Sequence, residues 1–411
     1  MNPATVNYML SLQQRARALL ERNTKSRDGY FYIAPSPKKY PHQWSWDSSF
    51  HAIINCCLGR VDLAQREILT LLSKMYPDGR LPHLIYYGHG LSSQISKILR
   101  WYWPDHRRSP LVQPPVVALA VKKIWEQSED LPFLKETLPL LEKHFEWLRT
   151  NRSSPASPLI SIFSPWESGL DHKPSFDQLL GKFSRLPFGL YLALYWLDLR
   201  MSRCKFDCLK LAKRRYFEVK EVLFNTIYAL GLESLGMLFS IIGNLPKAER
   251  FYRLGKEVEE AILSKCYDPA SQLYFDIDMR TNSLIPKPTI SSLMPLMLKG
   301  IPQSRCEALI KHLKDPEEFW PPFPIPSVPL NSPCFRPQSR SYLWRGPTWI
   351  NTNWLLVNGL KRHGYFWLAD ELAQKSKELV KTFGFWEYYD PISGKGGGEK
   401  GLSWSALAAV M

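Results

Sequence analysis

The chain has 411 residues, 45% of them hydrophobic, which supplies a substantial core and excludes global disorder. Lys and Arg outnumber Asp and Glu by 53 to 38, a formal net charge of +15. The basic residues are spread along helical faces, as in Lys122, Lys123, Lys135, Lys143 and Lys210, Lys213, Arg214, Arg215. A nucleic-acid footprint needs a clustered patch, so the charge suits solubility or an anionic small substrate instead.

In chain order, "MNPATVNYMLSLQQRARALLERN" has no apolar leader core and reads as an amphipathic helix over 3–22. Apolar spacing predicts further helices at 47–58, 61–76, 113–127, 132–150, 175–182, 187–203, 205–228 and 230–243. It continues with 245–265, 288–300, 303–313, 347–361, 365–382 and 403–411. Strand-like alternation is confined to "GYFYI" (29–33) and "QLYFDID" (272–278). The most apolar stretch, Leu223 to Ile242, is interrupted by Asn225, Thr226, Glu233 and Ser234, which favours a buried helix over a membrane span. Seven cysteines without framework or zinc spacing read as reduced thiols, so a cytoplasmic protein without membrane attachment is expected. Many helices of similar length in series must each be buried on two neighbours; a closed ring of helix pairs is one economical solution. The expectation is one all-α domain over 1–411.

The connections carry the chemistry. Loops 28–47, 164–177, 315–353 and 383–404 are rich in Trp, Tyr, Pro, Gly and carboxylates. The Pro-rich part of the third holds Phe319, Trp320, Phe323 and Phe335, so an ordered, packed loop is expected there. "YPHQWSWD" supplies Tyr40, Trp44, Trp46 and Asp47; "SPWESGLDHKPSFD" supplies Trp166, Glu167 and Asp171. "YLWRGPTWINTNW" supplies Trp344, Arg345, Trp349 and Asn351; "FWEYYDPISGKGGGEKGLSWS" supplies Trp386, Glu387, Tyr388, Glu399 and Trp404. Flat aromatic faces beside carboxylate and amide groups suit a sugar, whose apolar ring face stacks while its hydroxyls take fixed partners. Cleaving a glycosidic bond then takes two carboxyl groups, one protonated and one ionised. An apolar setting or a like charge raises a carboxyl's pKa, and Trp166 with Glu167 beside Asp171 offers both. On composition alone such a loop is more often an ordinary helix entrance.

Five ordered motifs favour the sugar reading: "HQWSWDSSFHA", "DGRLPH" (78–83), "SPWESGLDHKPSFD", "LWRGPTWINTNWLL" and "EYYDPISGKGGGEKGLSWSA". From about residue 28 onward they resemble the mannosylglycerate hydrolase-like enzymes of the glycoside hydrolase family 63 group. The resemblance implies an (α/α)6 toroid and an inverting α-glycosidase without a cofactor, acting on mannosylglycerate, glucosylglycerate or a short α-linked oligosaccharide. It implies Asp171 as general acid and Glu387 as general base, with roughly 6.5–9.5 Å between the carboxyl groups. Asp47 would grip glycone hydroxyls, and Trp44, Trp46, Trp166 and Gly169 would shape that pocket, into which Tyr40 also falls. Gln113, from "VQPPVVALA", would reach the sugar or its leaving group. Trp344, Arg345 and Gly346 match a "WRGPxW" signature, with Arg345 expected to position a carboxylate, a catalytic one included, by bidentate pairing.

The chain departs from the family pattern at His172, Lys173 and Leu343; the last two are expected where the leaving group is recognised. The nine-residue final helix, roughly 13 Å long, is expected to weaken ring closure. Plainer roles exist beside these: Asp47 as a helix N-cap, Asp177 as a solvated first-turn acid, Glu167 as a partner for Arg345. Glu399 rivals Glu387 but sits among glycines as a loop or lid charge, and His83 reads as a satisfied structural imidazole. "KGGGEKG" lacks the Walker spacing, and no residue group has metal-ligand spacing. The alternatives are a catalytically silent carbohydrate-binding protein on the same fold, and an epimerase, which would need a histidine pair that no motif suggests.

Overall fold

The computed structural model describes residues 11–27, 29–87, 103–181 and 186–411. Its α-helices, in chain order, are α1 Leu12–Asn23, α2 Ser45–Cys57, α3 Val61–Leu72, α4 Val117–Ser128, α5 Leu131–Arg152 and α6 Pro187–Arg203. There follow α7 Cys208–Arg214, α8 Val222–Ile241, α9 Leu245–Lys265, α10 Gln303–Lys314, α11 Ile350–Arg362 and α12 Phe366–Phe383. A one-turn helix covers Asp177–Leu180, and 3-10 segments cover Ile290–Met297 and Ser403–Val410. Strands are short and antiparallel, mostly paired, such as Thr24–Arg27 with Tyr30–Ile33 and Trp386–Tyr389 with Gly396–Lys400, with one three-stranded sheet of Val219–Lys220, Ile277–Asp278 and Ser283–Leu284.

Six segments form an inner set: α2, α4, α8, Ile290–Met297, α11 and Ser403–Val410. Each packs on the next, and the last packs back on α2. A second set backs it: α3 on α2, α5 on α4 and α8, α9 on α8, α10 on Ile290–Met297, α12 on α11, and α1 on Ser403–Val410. Composition follows position. Helix α8 is buried over most of its surface, with only Glu233, Met237, Ser240 and Ile241 partly exposed, whereas α9 buries Ala248, Phe251, Gly255, Val258, Ala261 and Ile262 on one stripe. Helix α8 is the one candidate among the described residues for crossing a membrane by length and composition, and 89% of its apolar window lies inside the protein.

Several expected boundaries move. The helices expected at 205–228 and 230–243 become α7 and an unbroken α8. Arg215 turns the chain left-handed (φ 48°), Val219–Lys220 pairs with Ile277–Asp278, and Glu221 caps α8 through the Phe224 amide. Pro114 and Pro115 precede α4, which begins at Val117 and not at 113. The run 272–278 splits into two strands with different partners. The expected 288–300 and 403–411 helices are 3-10 segments, the first containing Pro295. Of the expected helices 3–22 and 175–182, residues 3–10 and 182 lie outside the described residues. The Pro-rich loop is packed: Phe319 is buried, and Trp320 and Phe323 lie against the main core.

Candidate active site

A cavity of about 510 Å³ opens where the aromatic-rich loops converge, lined by Tyr40, Trp44, Trp46, Asp47, Gln113, Trp166, Gly169, Asp171, Trp344 and Glu387 among others. Ten of the eleven residues expected at a site therefore share one wall. The exception is Arg345. It does pair bidentately, as expected, but its partner is Asp177, with Nη1 3.0 Å from Asp177 Oδ2, and its Nε donates to the His172 carbonyl at 2.9 Å. Arg345 thus clamps the loop behind Asp171. Asp177 is no solvated acid, and Glu167 is no partner of Arg345.

Glu167 is fully buried and takes both Arg152 Nη atoms, at 2.7 and 2.8 Å, with amides of Val112 and Phe163 on the same carboxylate. Its charge is spent there, so it is not the group that raises Asp171. Withdrawal from water, against the Glu387 charge as the lesser contribution, pushes Asp171 from 3.8 up to about 8.

Glu387 stands on the strand Trp386–Tyr389 and accepts three hydrogen bonds. Tyr40 Oη reaches Oε1 at 2.8 Å, while Lys39 Nζ and the Glu399 amide reach Oε2 at 3.0 and 2.9 Å. The glycines of the facing strand make this possible: at Gly398 (φ +71°) a Cβ would stand 2.5 Å from Glu387 Oε2. Glu399 itself turns away, its Oε1 accepting from Ser36 Oγ at 2.8 Å.

Trp44 leads into α2 through its pairing with Leu84, which sets Trp46 and Asp47 in the first helical turn. Helix α2 begins at Ser45, so Asp47 is no N-cap; it is buried, and its Oδ1 has no partner. Burial, then the charges of Glu387, Glu67 and Asp171, push its carboxyl well up. Gln113 Oε1 accepts from Ser45 Oγ and the Trp46 amide at 3.1 and 3.2 Å, tying that turn down. Gly169 (φ +73°) is where a Cβ would meet the Trp46 ring at 2.6 Å, so the ring passes over bare backbone. Trp344 stacks on Trp349 at 3.8 Å, and Trp404 stands edge-on to both Trp349 and Trp46.

Two further readings change. Lys173 lies outside the cavity, buried in ion pairs with Glu221 and Asp276. Only Leu343 of that expected pair lines the cavity. His83 lines it too, but its Nδ1 is buried without a partner, so it is no satisfied imidazole; burial lowers its pKa to about 3. Sequence reasoning missed Tyr191, Tyr195 and Asp198, which α6 contributes. Their i, i+4, i+7 spacing on one face was the available signal. Among the described residues no three His, Cys, Asp or Glu are placed to hold a metal ion.

The fold is mostly helical, and its loops gather a raised carboxyl, a donor-bound carboxylate and a wall of tryptophans around one cavity. Residues 40–405 match the mannosylglycerate hydrolase MGH1-like glycoside hydrolase domain, and the chain belongs to that family. It is 29% identical to mannosylglycerate hydrolase of Thermus thermophilus, over 96% of this chain and 99% of the relative. It is 27% identical to glucosylglycerate hydrolase of Mycolicibacterium hassiacum, over 91% of this chain and 92% of that protein. The crystal structure of a GH63 mannosylglycerate hydrolase from Thermus thermophilus with Tris and D-glycerate superposes with a TM-score of 0.86, at 28% identity, covering 97% of this chain and 99% of that one. Neutral trehalase Nth1 of Saccharomyces cerevisiae, at 16% identity and a TM-score of 0.63, shares the fold; the alignment covers 98% of this chain and 80% of that one.

Proposed function

We propose that the chain is an inverting α-glycosidase of one catalytic (α/α)6 domain, acting on a small α-glycoside such as mannosylglycerate or glucosylglycerate or on a short α-linked oligosaccharide. The cyclic packing of six inner segments supports the toroid. The seven free thiols suit a reducing cytoplasm.

One observation carries the chemistry: Asp171, held up at about 8, faces the same cavity as Glu387 with its three donors. Asp171 gives its proton to the glycosidic oxygen as the C1–O bond breaks, and the leaving group departs as an alcohol. A water attacks C1 from the opposite face and yields its proton to Glu387. Glu387 then releases its proton to solvent and Asp171 takes one up, which returns both carboxyls to their starting states. Asp47, Trp46 and Trp44 hold the glycone, and the stacked tryptophans keep bulk water from the developing positive charge at C1.

The test is a proton NMR time course with mannosylglycerate, glucosylglycerate, kojibiose, nigerose and trehalose. The β-anomer is expected as the first sugar released. Initial release of the α-anomer rules out inversion, and binding without cleavage favours the silent carbohydrate-binding alternative.

A further inference from the structure

On the acid's side of the cavity lies a wall that the two-carboxylate chemistry leaves unused. His172 follows the acid directly and is 2% exposed. The Leu343 amide donates to its Nδ1 at 3.4 Å, which leaves the ring proton on Nε2. That Nε2 is buried, has no partner, and belongs to a residue lining the cavity. The ring is fixed from two sides, 5.9 Å from Trp166 and 5.4 Å from Tyr191, edge-on to both.

Asp198 of α6 continues the wall. The Trp166 side chain donates to its carboxyl group, and the other oxygen, Oδ1, is buried without a partner in the same cavity. Trp166 therefore touches both residues, so an unspent donor and an unspent acceptor line the cavity beside one indole. Left unmet, each keeps the desolvation cost of a buried polar group.

Position says which end of the substrate they meet. Lys39, Tyr40 and the Glu399 amide surround Glu387, the base. His172 is the residue after Asp171, and Tyr191 of α6 stands edge-on to it. Asp198, two turns further along α6, takes the hydrogen bond of Trp166, which belongs to the acid's own loop. These residues thus gather on the side of the acid, where the leaving oxygen must lie.

We propose that His172 and Asp198 form the leaving-group subsite and select a leaving group that carries a free hydroxyl. The hydroxyl oxygen accepts from His172 Nε2–H, and a hydroxyl hydrogen is donated to Asp198 Oδ1. A hydroxyl is both donor and acceptor, so it suits His172 Nε2–H and also Asp198 Oδ1, whether or not that carboxyl, which burial pushes up to about 7, holds its proton. Polyol, hydroxy-acid and second-sugar leaving groups all meet the requirement through their hydroxyls. Burial holds the imidazole near 3, so His172 stays a neutral donor at any working pH.

The subsite rests on the glycosidase reading, and the experiment separates the two. Wild type, Asp198→Ala, Asp198→Asn and His172→Phe are assayed on α-mannosyl and α-glucosyl fluorides, whose leaving group has no hydroxyl, and on mannosylglycerate, glucosylglycerate and kojibiose. The kcat/KM ratio of the best hydroxyl-bearing glycoside to its fluoride is expected to fall at least ten-fold in Asp198→Ala and His172→Phe. Asp198→Asn, which keeps an oxygen, is expected to fall less. An unchanged ratio in both variants, including equal losses on both substrates, overturns the subsite and leaves the glycosidase standing. A wild type that cleaves fluorides but none of the glycosides also overturns it. If nothing at all is cleaved, the glycosidase reading fails and the subsite with it.

Discussion

Asp171 owes its proton at neutral pH to where the chain puts it, and that has two measurable consequences. In its proposed role as general acid it must be protonated, so kcat/KM is expected to fall as pH rises through about 8. Asp171→Asn should cost about 10²–10⁴-fold in turnover while product binding, followed by tryptophan fluorescence, persists. Stability has the opposite sign from the usual salt-bridged aspartate. The folded carboxyl keeps its proton up to about 8, while the unfolded one releases it near 3.8. The native state therefore binds more protons across that window, and this group's contribution to stability declines as pH rises through it. The neutral Asn variant lacks that decline, so its melting temperature should drop less than the wild type's between pH 5 and pH 8. At this scale the sequence was readable where aromatic and acidic residues crowd a loop, as around Trp44, Asp171 and Glu387. It was opaque at Asp198, a lone acid in the helical run "LYLALYWLDL", where apolar periodicity announces packing and hides the polar face. The partners of Arg345 and Glu167 were equally hidden, because pairing across 168 residues, as between Arg345 and Asp177, depends on the fold and not on spacing.

Loops hold the carboxyls, and each loop is fixed by a device of its own. The acid loop is pinned by Lys173, fully buried between Glu221, Asp276 and Ser291. Lys173→Met leaves two buried acids without their cation and is expected to cost about 3–5 kcal/mol of stability in chemical denaturation. The base strand is pinned by its glycine partner. In Gly398→Ala the new methyl group displaces the Glu387 carboxylate, so kcat should fall by roughly ten-fold or more. A loss confined to melting temperature, with kcat intact, would show that Gly398 serves only the turn. Neither device follows from composition: Lys173 is expected at the leaving group, and "GKGGGEKG" in a loop closing over substrate, until the facing groups are known.

Over the whole molecule the ring is joined where its first and last described segments meet. Helix α1 packs on Ser403–Val410, Asn23 Nδ2 donates to the carbonyls of Pro35 and Gly401 at 3.1 and 3.0 Å, and the Ser403 amide donates to the Pro35 carbonyl at 3.0 Å. The final segment expected to weaken closure is instead buried almost throughout. Deleting Ser403–Met411 removes one of the six inner segments along with Trp404. Loss of a single cooperative unfolding transition is expected, with Asp171 and Glu387 still encoded. Helix α2 forms the cavity's first turn but has as ring neighbours α4 and a segment about 350 positions later in the chain. Contacts of such separation are the slowest to gain, because the intervening loop must close first. During synthesis the acid loop emerges long before the strand that carries the base, and the seam cannot be made until residues 403–410 leave the ribosome. A nascent chain is therefore expected to lack the proposed hydrolysis until that segment is free, and the apolar faces of the inner segments that close against it stay unpaired until then.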